Sequence, residues 1–214
     1  CAGSKGCSEW GACSKQGSNC GPTSDEDCAS SNICLNNGAC TYDNGMCTPG
    51  SEEDCLQSKN CGFFGQCALN EWGGCSPASD DHCLSAEICS LEGRCGYSGN
   101  SGCVPQNDGH CEQSEICIFE GACKDIGFEC GAGDADDCTN SLMCQFEGAC
   151  TFDSNNEECI NGDVIDCLLS EGCAFIGACS LIEDEFGFKN TCAPASDADC
   201  EQSLLCTNSG ACDL

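Results

Sequence analysis

The cysteines of this chain recur at regular spacing, and the polarity of one position between them changes along the chain. The residue two positions after one recurring cysteine is apolar in the middle of the chain and polar near both ends. The apolar residues are Phe63, Leu91, Phe119, Phe146 and Phe175, and the polar ones are Glu9, Asn36 and Asn208. This pattern is typical of a repeat array in which inner repeats stack through apolar side chains and the terminal repeats are polar.

The cysteines define the repeat, because each of them falls into one of four positions. The first positions are Cys1, Cys28, Cys55, Cys83, Cys111, Cys138, Cys167 and Cys200. The second and third positions follow at steps of six residues, and seven of the eight repeats have a fourth. Seven residues always separate the fourth position from the next first position, whereas six to twelve separate the third from the fourth. We expect the constant stretches to be rigid and the variable one to be a surface loop.

The chain is therefore predicted to be one continuous array over residues 1–214. We expect a small disulfide-rich protein that forms a solenoid-like rod of about eight units of roughly 28 residues, each with one short helix and a loop, and with little or no regular sheet. The predicted units are 1–20, 21–47, 48–75, 76–103, 104–130, 131–159, 160–192 and 193–214.

Each unit is predicted to contain a helix of about 13 residues, or three turns. It would begin four residues before the first cysteine at an N-cap: Ser24, Ser51, Ser79, Asn107, Asp134, Asp163 or Ser196. It would end four residues after the second cysteine at a glycine: Gly11, Gly38, Gly65, Gly93, Gly121, Gly148, Gly177 or Gly210. Inside it a serine (Ala86 in the fourth repeat) follows the first cysteine by three residues, which implies close packing. A compact loop with helical turns is the alternative.

The 31 cysteines make up about 14% of the 214 residues, which is typical of a disulfide scaffold. Disulfides persist in oxidising compartments, so we expect an extracellular or cell-surface protein. No two cysteines lie closer than six residues, a spacing that disfavours thiolate metal clusters. No run of 18 apolar residues is present, so no membrane span is predicted.

Two pairing schemes account for the odd number of cysteines. If every repeat pairs within itself, the eighth leaves one of Cys200, Cys206 and Cys212 free. If the fourth position instead bonds the next first position and the second bonds the third, Cys1 is the unpaired one. The constant spacing across the repeat boundary favours the second scheme, in which Cys1 is available for a cross-link or for a lipid anchor. The paired cysteines would then be Cys7, Cys13, Cys20, Cys28, Cys34, Cys40, Cys138, Cys144, Cys150 and their equivalents.

The formal charge of −30, from 36 acidic and 6 basic residues, disfavours nucleic acid and anionic membranes as partners. Acidic residues crowd the predicted helix starts, where the helix dipole favours them. They are also the hard oxygen ligands that calcium takes. The candidate calcium ligands are Asp25, Asp27, Asp54, Asp80, Asp108, Asp134, Asp136, Asp137, Asp197 and Asp199. The chain has two histidines, His82 and His110, which take equivalent places just before first-position cysteines.

The sequence predicts no enzyme, since no nucleophile motif or convergent catalytic set is present. The first functional hypothesis is a structural protein whose main partner is itself, a homopolymer that forms a fibre or a surface layer. The alternative is a module for calcium-dependent adhesion or ligand binding that uses the variable loops. The longest of these, residues 180–191, contains Phe186 and Phe188, which we expect to be exposed.

The repeated segment Ser196-Asp197-Ala198-Asp199-Cys200 and its counterparts resemble a known kind of cysteine-rich repeat. Repeats of the form SDADC-x5-C-x3-G-x-C occur in predicted secreted proteins of myxobacterium-like bacteria, and the resemblance covers the whole array. These proteins have no assigned function, so the resemblance implies a location outside the cell and no activity.

Overall fold

The computed structural model describes residues 1–183 and 190–212, and the chain divides into two compact units. The first unit is Cys1–Val104 and the second is Pro105–Leu214. Each unit contains four of the repeats that the cysteines define. The continuity of the array from one unit into the next stays a prediction.

The first unit begins with one short helix and a two-stranded hairpin, and then repeats a pair of short helices followed by a two-stranded hairpin three times. Its helices are α1 Lys5–Trp10, α2 Asp25–Ala29, α3 Asn32–Asn37, α4 Glu52–Leu56, α5 Lys59–Phe64, α6 Asp80–Leu84 and α7 Glu87–Glu92. Its strands are β1 Ser14–Gln16, β2 Asn19–Gly21, β3 Thr41–Asp43, β4 Met46–Thr48, β5 Ala68–Leu69, β6 Cys75–Ser76, β7 Gly96–Tyr97 and β8 Cys103–Val104, with a 3-10 turn at Gly99–Ser101.

The second unit repeats the same order of elements. Its helices are α8 Asp108–Glu112, α9 Glu115–Glu120, α10 Ala135–Thr139, α11 Leu142–Glu147, α12 Val164–Leu169, α13 Glu171–Ile176, α14 Asp197–Glu201 and α15 Leu204–Ser209. Its strands are β9 Lys124–Asp125, β10 Cys130–Gly131, β11 Thr151–Asp153, β12 Glu158–Ile160, β13 Ser180–Glu183 and β14 Asn190–Ala193. Each hairpin is antiparallel, as in the pairing of Phe152 with Cys159. The variable stretch is thus a hairpin rather than a plain loop, and regular sheet in the described residues is limited to these two-stranded pairs, in line with the expectation of little sheet.

The predicted single helix is in fact two helices, separated by the serine that was expected only to pack closely. Ser141 has an extended backbone, with φ −79° and ψ 155°, and is the N-cap of α11. Its hydroxyl donates to the carbonyl of Cys138 (2.8 Å) and accepts from the backbone N–H of Cys144 (3.0 Å). An N-cap residue cannot keep helical dihedral angles, so the first helix must end before it. The serine is buried, as predicted, but its role is to start the second helix.

The predicted caps at the two outer ends are confirmed. The seven predicted N-cap residues all lie at that position with extended backbone, as Asp134 does before α10. The eight predicted glycines all end the second helix in the left-handed conformation, with φ between 71° and 78°. The sequence therefore placed both ends of the two-helix segment correctly and missed its interior break.

Each of the fifteen disulfides in residues 1–183 and 190–212 closes within its own repeat. The second cysteine bonds the third, as in Cys144–Cys150, and the first bonds the fourth, as in Cys138–Cys159. Pairing of the fourth position with the next repeat is therefore wrong, because the hairpin returns the fourth cysteine to the first helix of its own repeat. Cys1 bonds Cys20, so the prediction of an unpaired Cys1 is also wrong, and its sulfur is not available to carry a lipid. The free cysteine of the described chain is Cys200, which is buried.

Neighbouring repeats within a unit meet at the helix-ending glycines. A Cβ atom on Gly38 would lie 2.6 Å from the carbonyl oxygen of Asp54 in the next repeat. A Cβ on Gly148 would lie 2.7 Å from the carbonyl oxygen of Asp166. Glycine is required here for its positive φ and for the absence of a side chain. This contact accounts for the constant boundary spacing, because any insertion would move the carbonyl away from the glycine.

The core consists mainly of disulfides and small residues rather than large apolar side chains. The alanine after the helix-ending glycine is buried in several repeats, with exposures of 2–6% at Ala39, Ala122, Ala149 and Ala178. The phenylalanines that were expected to stack inside the array are instead 36–60% exposed, namely Phe63, Phe119, Phe146 and Phe175. The repeats approach each other too closely for large side chains to lie between them.

Candidate functional site

The acidic helix starts are the predicted calcium site, and most of their carboxylates accept hydrogen bonds from the backbone. The aspartate just before the first cysteine accepts from the N–H group four residues earlier. This bond measures 2.8 Å between Gly50 and Asp54, 2.8 Å between Gly133 and Asp137, and 2.9 Å between Gly162 and Asp166. The equivalent bonds join Thr23 to Asp27 and Ala195 to Asp199, both at 2.8 Å. These carboxylates close the turn that leads into each of these five repeats.

The same carboxylates also join adjacent repeats. The hydroxyl of Thr41, in the first strand of the preceding hairpin, donates to Asp54 at 2.9 Å. Thr151 donates to Asp166 at 2.8 Å, and Ser180 donates to Asp199 at 3.0 Å. A carboxylate with two such donors is a structural acceptor, since charge-assisted hydrogen bonds are stronger than neutral ones. The bonds fix the register between the hairpin of one repeat and the helix start of the next.

These bonds favour the ionised form of the acids that accept them. The backbone N–H of Thr23 and the hydroxyl of Ser14 hold the pKa of Asp27 below its ordinary value. The backbone N–H of Ala195 and the hydroxyl of Ser180 lower the pKa of Asp199 in the same way. Hydrogen bonds donated to a carboxylate stabilise its charged form. These two carboxylates therefore remain ionised to lower pH than ordinary aspartates.

A second set of aspartates joins a helix start to the hairpin of its own repeat. Asp25 accepts from the backbone N–H of Tyr42 and Asp80 from that of Tyr97, both at 2.7 Å. Asp108 accepts from the backbone N–H of Asp125 at 3.1 Å. Asp108 also lies 3.5 Å from the ammonium of Lys124, and its negative charge raises the pKa of that lysine.

The remaining predicted ligands, Asp134, Asp136 and Asp197, lie at the exposed starts of α10 and α14. Asp134 is the N-cap of α10 and accepts from the N–H groups of Asp136 and Asp137, at 2.9 and 3.1 Å. Within residues 1–183 and 190–212, no group of three or more acidic, histidine or cysteine side chains is arranged to hold a metal ion. Most of the predicted ligands thus accept backbone hydrogen bonds of their own, and no such metal-holding group forms among them in the described residues.

In two repeats a histidine takes the place of the aspartate that lies just before the first cysteine. The Nδ1 atom of His82 accepts from the backbone N–H of Ala78 at 3.2 Å. The Nδ1 atom of His110 accepts from that of Gln106 at 3.4 Å. The sequence placed the two histidines at equivalent positions but did not show the hydrogen bond that they share with the aspartates of other repeats. An aromatic nitrogen and a carboxylate share the ability to accept at this distance.

The hairpins and the second helices expose apolar side chains that the sequence reasoning did not single out. Trp72, Phe128 and Met46 lie in or beside hairpin turns, with exposures of 93%, 71% and 65%. The hairpin of residues 180–193 has paired strands, but Phe186 and Phe188 lie outside the described residues. In the part of the chain that the structure describes, no helix has both the length and the apolar character to cross a bilayer.

The fold defines the class of the protein as a disulfide-rich repeat protein. No protein-family model, curated protein or solved structure matches the chain. The resemblance to secreted SDADC-type repeats stays a prediction.

Proposed function

We propose that the protein is an extracellular structural protein, a rod of disulfide-linked acidic repeats that assembles with itself into a fibre or a surface layer. The observation that carries this proposal is that the disulfides close inside their own repeats, so each complete repeat is a separately cross-linked building block. Disulfides in this number persist where the environment is oxidising. Repeats with their own cross-links suit a protein that withstands unfolding and proteolysis outside the cell.

The energetics of the repeat support a structural role. A disulfide that closes a loop of about 20 residues stabilises the fold by about 3 kcal/mol, and one that closes a shorter loop by about 2 kcal/mol. Each complete repeat therefore gains about 5 kcal/mol from its cross-links, which offsets the small apolar core. Glycine contacts and carboxylate–hydroxyl bonds then hold neighbouring repeats within a unit in a fixed register.

Self-assembly must overcome the repulsion between copies that each carry −30 charges. Salt or divalent cations would screen that repulsion. We therefore expect assembly to require cations, whether or not any single cation occupies a defined site.

Negative-stain electron microscopy of the purified native protein tests the proposal. Samples at several protein concentrations are compared in calcium, in the same ionic strength of sodium chloride, and in a chelator. Filaments or sheets of regular width are the expected result. Single particles in every condition, with a monomer mass by sedimentation at the highest concentration, would contradict the structural proposal.

A second candidate function, adhesion or ligand binding through the hairpins, is favoured by one observation: the nearly complete exposure of Trp72. Exposed aromatic side chains are enriched at binding surfaces. The calcium dependence of this alternative is tested separately, by calorimetric titration of calcium into the protein and into the variant D134N/D136N. Heat of binding that the variant loses would support calcium ligands at the start of α10, and identical titrations would contradict them.

A further inference from the structure

We propose that three helices of the second unit form a docking surface for a cationic polypeptide segment that also carries apolar side chains. The inference is independent of the proposed structural role. We call the surface the phenylalanine ladder and define it as Phe119 on α9, Phe146 on α11 and Phe175 on α13, with Ile118 and Ile176 beside them.

The ladder is an exposed apolar face built by the repeat itself. Its phenylalanines occupy the same repeat position on helices that are in contact, since α11 contacts both α9 and α13, and Phe146 and Phe175 line one groove. Phe119, Phe146 and Phe175 are 55%, 47% and 60% exposed, and Ile118 and Ile176 are 57% and 50% exposed. Scattered apolar residues are normal on protein surfaces, but a contiguous patch is typical of an interaction site.

The ladder also contains a groove that can receive side chains of a partner. A groove of about 290 Å³ is lined by Phe146, Glu171, Gly172, Phe175 and Ile176. The backbones of α11 and α13 lie close together beside this groove, because a Cβ atom on Gly172 would lie only 2.6 Å from the carbonyl oxygen of Phe146.

A second cavity, of about 500 Å³, lies against the first two helices of the ladder. Apolar Ile116 and Met143 line it together with the acidic residues Glu120, Glu129 and Glu157. An apolar wall with carboxylates beside it suits a lysine or arginine side chain, whose aliphatic stem is buried while its charged end stays near acidic groups.

Charge decides what kind of partner the ladder accepts. The helices α9, α11 and α13 contain no basic residue and carry exposed glutamates at 115, 120, 147 and 171. The side chain of Gln145 donates to Glu171 across α11 and α13 at 2.6 Å, which holds that carboxylate beside Phe146. Cations also lie favourably over aromatic rings. The surface is thus complementary to a partner that is both basic and apolar.

The charge of the whole unit favours the same partner over a second copy of the chain. The second unit has 23 acidic and 2 basic residues, for a formal charge of −21, against −9 for the first unit. Two such faces from two copies would repel each other, because like charges across an interface cost binding free energy.

The test measures binding of two labelled peptides of about 18 residues to the full-length protein by fluorescence anisotropy. One peptide has lysine and leucine in amphipathic helical order, and the other has the same number of lysines with serine in place of leucine. The variant F146S/F175S removes the centre of the ladder. The control variant I165S/L168S removes two side chains of α12 that are exposed to a similar degree, 57% and 55%, in the same unit and without change of charge.

We expect the lysine–leucine peptide to bind at least tenfold more tightly than the lysine–serine peptide. F146S/F175S should weaken that binding by about tenfold or more, I165S/L168S by less than about twofold, and added salt should weaken it for every variant. Circular dichroism and disulfide content of both variants check that they are folded. Equal affinity for the two peptides, or equal loss in the two variants, would overturn the proposal. Ladder-dependent self-association of the native protein in sedimentation would overturn it in favour of a second copy as the partner.

Discussion

The two units share the same secondary structure and disulfide pattern but differ in the residues on their exposed helix faces and in their net charge. Both have helix pairs, hairpins, within-repeat disulfides and helix-ending glycines, at equivalent positions. At the position two residues after the second cysteine, however, the first unit has Glu9, Asn36, Phe63 and Leu91, whereas the second has three phenylalanines and then Asn208. The second unit also carries −21 of the −30 charges. The cross-links and backbone contacts therefore set the fold, and this frees the exposed helix faces to vary.

The largest expected effect comes from removing a first-to-fourth disulfide, and it should be alike in the two units. C138A/C159A opens a loop with a sequence separation of 21, and C28A/C47A opens one with a separation of 19. We expect each variant to lower the local free energy of unfolding by about 3 kcal/mol, because the entropy of loop closure varies slowly with length. Native-state hydrogen exchange of the affected repeat measures it. A much larger loss in the second unit would show that its charge, and not only its cross-links, limits its stability.

The next largest effect should come from the glycines at repeat contacts. We expect G38A and G148A each to destabilise the protein by about 2–3 kcal/mol, because alanine is strained at positive φ and its Cβ would clash with a backbone carbonyl. Gly210 is the matched control, since it has φ 74° but no heavy atom within 4 Å of the place that a Cβ would take. G210A should cost only about 1 kcal/mol. Equal losses at all three positions, measured by chemical denaturation, would mean that the contact between repeats contributes little.

A smaller effect should be the response of amide protection to salt, which we expect to differ between the units because their net charges differ. Raising sodium chloride from about 10 mM to about 300 mM shortens the Debye length from roughly 30 Å to roughly 6 Å and so weakens self-repulsion. We expect amide protection in residues 105–183 and 190–212 to rise more than in residues 1–104, since the second unit has the larger net charge. Hydrogen exchange with mass spectrometry on the full-length protein reports both units at once. Equal responses would indicate that repulsion within each unit is unimportant.

The smallest expected effect is the pH dependence of the stability that Asp27 and Asp199 contribute through their hydrogen bonds. The pKa of Asp27 in the first unit and of Asp199 in the second lie below their ordinary value. Their contribution to stability is therefore present above the pKa of an unfolded aspartate and is lost as pH falls through the lower pKa of the folded state. We expect protection of the Thr23 and Ala195 amides to decline together in that acidic range.

The variants D27N and D199N provide the control for that experiment. Asparagine keeps a side-chain oxygen that can accept the same hydrogen bond, but it does not titrate. At neutral pH, the backbone amide of Thr23 in D27N and that of Ala195 in D199N should be less protected from exchange than in the native protein. On acidification, the protection of these two amides should not decline further. A decline that persists in the variants would assign the acid sensitivity to other groups.

Many features of the fold were predictable because they depend on local chemistry. The N-caps, such as Asp134, and the C-cap glycines, such as Gly148, follow from the conformational preferences of single residues. The break at Ser141 was harder to predict, because a serine inside a run with helical caps at both ends is consistent with one helix or with two. The signal was present: the same serine that starts α11 recurs in seven repeats, at a position where a second N-cap explains it better than close packing alone.

The candidate site was only half predictable. The sequence identified the acidic helix starts as special, but the donors that face Asp54 and Asp166 come from Thr41 and Thr151, 13 and 15 residues away. Those pairings depend on the path of the hairpin, which no local preference determines. The calcium interpretation stays a prediction, because composition shows the number of carboxylates but not their separation in space.

The sequence by itself determined the repeat, the class of disulfide-rich protein, the outer ends of the two-helix segment and the net charge, since these depend on residue identity and spacing. Only the tertiary structure decided which cysteines pair, why the boundary spacing is constant and which phenylalanines face solvent. The physical reason is the hairpin. Its return path brings Cys159 to Cys138 and leaves room at the repeat contact for the bare backbone of Gly148, but not for the ring of Phe146.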